Sequence, residues 1–134
     1  MNTATIREKL ASIREKYRAI LQITAALGSA PERETLDTAL ARRADILNAI
    51  TGERRTLDSI SDCWLDNARG NNVLAGIVGE IVATIRSIAD MDAVLTENVT
   101  LSLNKTRDEI RTMYHTSRAA YAYSAHSMPS YRHG

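Results

Sequence analysis

Ile6, Leu10, Ile13, Tyr17, Ile20, Thr24 and Leu27 follow one another at steps of 4, 3, 4, 3, 4 and 3. That alternation holds one stripe of an α-helix toward a partner with left-handed supercoiling, whereas a strand repeats its faces every two residues. The chain is therefore expected to open with a helix over residues 3–27, ended by Gly28 in a left-handed cap. Ser29 and Glu32 have the spacing of a capping box, with Pro31 tolerated in the first turn, so a second helix is expected over residues 30–68. Its stripe reads Leu36, Leu40, Arg43, Leu47, Ile50, Arg54, Leu57, Ser61 and Trp64, with Gly52 as the weak point and Gly70-Asn71-Asn72 as the terminator. Arg43 and Arg54 are expected to lay their stems along apolar neighbours and reach water, because a buried ionic network costs several kcal/mol of desolvation per ion; Asp92 is the one stripe carboxylate that could contradict this by pairing with either.

A third helix, expected over residues 72–98 with Asn72 as its cap, carries Leu74, Ile81, Ile85, Ile88, Asp92, Leu95 and Val99. The stripe resumes as Leu103, Thr106, Ile110, Met113, Ser117 and Ala120. Across Leu95, Val99 and Leu103 the steps are 4 and 4, a stutter that locally unwinds a coiled coil, so a kink or break is expected between Asn98 and Asn104. A fourth helix would then span residues 103–124, and residues 125–134 would be a flexible tail. Val99 to Leu103 also alternate like a strand, but no second strand stands by to satisfy the backbone. The fold class is all-α: an elongated antiparallel bundle of three or four helices with coiled-coil-like packing, one domain over residues 1–124.

Composition narrows function by exclusion. The 134 residues, 44% of them apolar, suffice for one modest core. A net charge of +1 gives no electrostatic footprint for a duplex nucleic acid. Residues 1–27 and 105–134 each hold five basic and two acidic groups, while 28–64 and 65–104 are net acidic, so oppositely charged helices are expected side by side. The single Cys63 completes neither a disulfide nor a thiolate pair, which fits the cytoplasm. Uncharged runs no longer than 13 residues, and the lack of an apolar leader, argue for no membrane insertion. His115, His126 and His133 follow no glutamate at ligand spacing, and Cys63 beside Trp64 reads as a small core hydrophobe. No metal, cofactor or catalytic residue is assigned, and an enzyme is not expected.

Four of the five tyrosines, Tyr114, Tyr121, Tyr123 and Tyr131, fall in the last 21 residues, amid basic groups. Tyrosine is enriched at interfaces, so this end reads as a docking segment. With the first helix, the run Leu40 to Ile50, the run Ile81 to Leu95 and the close Arg118-Ala119-Ala120-Tyr121, the chain resembles the small flagellar export chaperones of the FlgN and FliT type. The resemblance implies a cytosolic chaperone for flagellar (type III) export that consumes no ATP. Such a protein binds the helical terminal segment of a late flagellar subunit, a hook-filament junction or filament-cap protein, and hands it to the cytoplasmic domain of the export gate. Tyr114, Arg118, Tyr121 and Tyr123 are the expected gate-docking residues. Ile88, Leu95, Val99, Leu103, Ile110 and Met113 are the expected client groove, left incompletely filled by the chain's own helices. A weak homodimer at most is expected. The alternative is a self-associating coiled-coil structural or adaptor protein without a client.

Overall fold

A computed structural model describes the backbone of residues 3–127 and the side chains of residues 3–122. Among them are four helices, α1 (Thr3–Ala26), α2 (Arg33–Ile60), α3 (Trp64–Arg69) and α4 (Asn72–Ser127), and no strand. The all-α bundle follows from the heptad spacing of its apolar residues. The chain divides into two units, the first ending at Thr96 and the second beginning at Glu97.

In the first unit the α1 stripe is buried as its spacing requires. Ile6, Leu10, Ile13, Ile20, Thr24 and Leu27 are all buried, and Tyr17 packs half-buried against them. Thr24 is the one polar member, and its hydroxyl is satisfied by donating to the Ile20 carbonyl at 2.8 Å. Ile50 and Leu57 of α2, Ala68 of α3, and Leu74, Ile77, Ile81 and Ile88 of α4 complete the core. Ile6, Leu10, Ile20 and Leu57 are sealed from solvent, each contributing roughly 1.5–3 kcal/mol by transfer out of water.

Ion pairs fix the helix directions. Lys16 of α1 meets Glu53 of α2 at 3.1 Å, while Leu27 and Ala39 line one pocket, so α1 and α2 are antiparallel. Arg14 and Arg18 both donate to Glu80 of α4 at 2.9 Å, and Thr24 shares a concavity with Leu95, so α1 and α4 run parallel. The basic first helix therefore lies against carboxylates of its neighbours, as the charge distribution implies.

Several expectations are corrected. Of the α2 stripe, Leu36, Arg43, Ile50 and Leu57 turn inward, but between them Ala39, Ile46 and Glu53 replace Leu40, Leu47 and Arg54. Leu40 and Leu47 are 46% and 41% exposed. Both sets keep heptad spacing with the shared residues. Ala39 wins over a leucine as the buried neighbour, and Glu53 is drawn inward by the Ser12 hydroxyl at 2.6 Å and Lys16. The α2 N-cap is Glu32 without a side-chain cap bond, so the helix begins after Pro31. It ends at Ile60 instead of continuing to residue 68. Ser61 is extended, its hydroxyl accepts from the Cys63 amide, and the Trp64 indole donates to Asp58 at 2.7 Å, local bonds that compete with the helix. Cys63 is exposed, not a core hydrophobe.

In α4, Asn71 and not Asn72 is the cap, its side-chain oxygen accepting from the Val73 and Leu74 amides. Ile77, outside the expected stripe, is buried, and Ile85, inside it, is 40% exposed. No break separates residues 98 and 103: α4 is one helix of 56 residues. A stutter changes which side chains face a partner and leaves the backbone hydrogen bonds intact. By length and composition α4 also contains a window apolar enough to cross a membrane, which uncharged runs alone do not reveal because Glu80 and Arg86 interrupt it. Its Leu74, Ile77, Ile81 and Ile88 are spent on the bundle core.

Candidate helix-binding surface

Residues Thr100 to Ala122 of α4 are exposed without exception. The helix still forms there because Lys105, Arg107, Glu109, Arg111, Met113, Ala119 and Ala120 are strong helix formers. Three of its large apolar residues lie on the heptad stripe, Leu103, Ile110 and Met113 at 62%, 61% and 68% exposed, while Leu101, 59% exposed, lies off it. Thr106, Ser117 and Ala120 fill the positions between and beyond them. An amphipathic helix whose apolar side chains meet only water gains none of the burial that normally stabilises such a helix, so exposed apolar residues recurring on one face are a candidate contact surface.

The expected groove residues divide among three environments. Ile88 is buried in the core cluster of the first unit, so it offers no contact to a client. Leu95 and Val99 are half-buried. Leu103, Ile110 and Met113 stand in solvent. The expected docking residues Tyr114 and Tyr121 are 60% and 74% exposed, and Arg118 is exposed as well. At steps of 4 and 3 these three share one face of α4, on the flank of the apolar stripe. Tyr123 falls within α4, but its side chain, like all of Tyr131, lies outside the described residues. So do the side chain of His126 and all of His133.

One feature of the first unit escaped sequence reasoning, and a second went against its expectation. An apolar concavity of about 410 Å³ opens where the end of α1 meets α4, lined by Thr24, Ala25, Gly28, Met91, Val94 and Leu95. Gly28, with φ of +69°, turns the chain there. The available signal was Met91 and Val94, apolar residues one place off the stripe, 39% and 56% exposed. The second is the pair Arg43 and Asp92, which joins α2 to α4 by two parallel hydrogen bonds of 2.9 and 2.8 Å. Arg43 is 14% exposed and does not reach into water as expected. Arg54 behaves as expected, exposed at the edge of a cavity of about 140 Å³ among Tyr17, Ile50 and Ile85.

Among the described residues no three histidine, cysteine, aspartate or glutamate side chains gather as a metal-binding group. What the geometry offers is contact area on a helix. No family model matches this chain, and searches of the curated proteins and of the solved structures give no match.

Proposed function

We propose that the chain is a cytoplasmic binding protein of the flagellar export chaperone type, not an enzyme, and that its client is the amphipathic terminal helix of a late flagellar subunit, a junction or cap protein. The observation that carries this reading is the solvent-exposed heptad stripe of Leu103, Ile110 and Met113 on α4. A second helix laid along the stripe buries those side chains, at i, i+7 and i+10, in the helix-in-groove mode by which amphipathic helices are recognised. The flank bearing Tyr114, Arg118 and Tyr121 is left for the cytoplasmic domain of the export gate, where tyrosine adds contact area at small entropy cost.

Calorimetric titration of the purified chain with the junction and cap subunits tests the reading. One of them is expected to bind one to one, and the double substitution Ile110→Asp with Met113→Asp is expected to abolish that binding while helix content is kept. Tyr121→Ala is expected to spare client binding and weaken gate binding. Absence of binding to every late subunit overturns the proposal.

A further inference from the structure

The geometry points to the cavity beside Arg54 as a binding site for a small aromatic carboxylate. Leu10, Ile13, Ile50 and Ile81, all buried, line its inner side. Trp64, half-buried against the core, lines its wall, and Ile85, 40% exposed, stands with the exposed Arg54 on its outer side. Its volume of about 140 Å³ is close to the roughly 150 Å³ of an engineered apolar cavity that stays dry and takes up benzene, so the space suits one six-membered ring and not a length of peptide. Side chains around an unfilled cavity lose dispersion contacts on that side. Water restores little there, because a water needs two or more polar partners and the buried leucine and isoleucines offer none.

The cation at the rim sets the charge of the ligand. Arg14, Lys16, Arg18 and Arg43 each meet a carboxylate of a neighbouring helix, whereas Arg54 has no such partner among the described residues. Asp58, one helical turn further along α2, is engaged by the Trp64 indole, which donates to it at 2.7 Å and is thereby held beside the cavity. A planar carboxylate matches the donor fork of a guanidinium, and a flat ring packs well against an indole. One ligand with a ring and a single carboxylate therefore uses both ends of the site. The cavity lies wholly in the first unit and shares no residue with the stripe from Leu103 to Ala120, so this inference does not rest on the client reading.

Trp64 is the one tryptophan in the chain, and its emission reports on the cavity directly. The probe is sodium benzoate at neutral pH, with sodium acetate as the head group alone and benzyl alcohol as the uncharged ring. Benzoate is expected to change the emission saturably with a Kd of about 1 mM, the scale for a ligand of so few atoms. It is also expected to raise the melting temperature, because it binds the folded state. Arg54→Gln, at an exposed position, is expected to keep the fold, weaken benzoate about tenfold and leave benzyl alcohol unchanged. Val78→Phe, which fills the cavity from α4, is expected to abolish binding of both. No saturable response of the folded chain at about twenty times the expected Kd overturns the inference, as does an equal response to acetate. Benzoate affinity that is unchanged in Arg54→Gln, or kept in a folded Val78→Phe protein, overturns it too, since the ligand would then sit elsewhere.

Discussion

Arg43 sits at a heptad position where an apolar residue would normally go, and its guanidinium is held by both oxygens of Asp92. Fork-on-fork geometry fixes angle as well as distance, so the pair specifies how α2 meets α4 beyond what its energy alone does. Arg43 is largely enclosed, whereas Asp92 keeps 35% of its side-chain exposure. Arg43→Met should therefore cost about 1–2 kcal/mol, above the 0–1 of a surface pair and below the 3–5 of breaking a fully buried one. Urea unfolding of both single variants and of Arg43→Met with Asp92→Leu measures this, and the double variant should recover part of the loss because neither charge is left unpaired. A cost above about 3 kcal/mol for Arg43→Met would mean that Asp92 is desolvated far more than its exposure implies.

At the scale of the element, heptad spacing decides that α2 is a helix but leaves its rotation open by one residue. Leu36, Arg43, Ile50 and Leu57 are common to both possible stripes, and the choice between Ala39, Ile46, Glu53 and Leu40, Leu47, Arg54 rests on what α1 presents. No local pattern in α2 shows that Ser12 and Lys16 will hold Glu53, so hydrophobicity alone pointed to the leucines. The α1 stripe was legible because all its positions share one phase and nothing on α2 competes for it. The same logic covers the site: the stripe at Leu103, Ile110 and Met113 was legible as a heptad and expected to be incompletely filled, but the exposure of every residue from Thr100 to Ala122 was not. Leu57→Ala should cost about 2–5 kcal/mol and Leu47→Ala under about 1, and thermal melts that reversed this order would restore the leucine stripe. Asn71→Ala, which removes the α4 cap, should cost about 1 kcal/mol by the same measurement.

Over the whole molecule the two units differ in what stabilises them. The first buries Ile6, Leu10, Ile20 and Leu57 completely and ties α1 to its neighbours through Glu53 and Glu80. The second, as far as its side chains are described, has exposed residues throughout from Thr100 to Ala122. Its helical backbone is maintained by intrinsic propensity and by whatever covers the stripe, and isolated helices are marginal in water. Amide hydrogen exchange should then be slowest around Leu10, Leu57 and Ile81 and fastest beyond Leu101, with the two regions separated by most of the global unfolding free energy. Because covering the stripe adds burial only in the second unit, adding a flagellar subunit should slow exchange between residues 103 and 120 while leaving the α1 and α2 amides unchanged. Protection that is already uniform along α4 in dilute, client-free protein would mean that the stripe needs no partner, and the client reading would lose its physical motive.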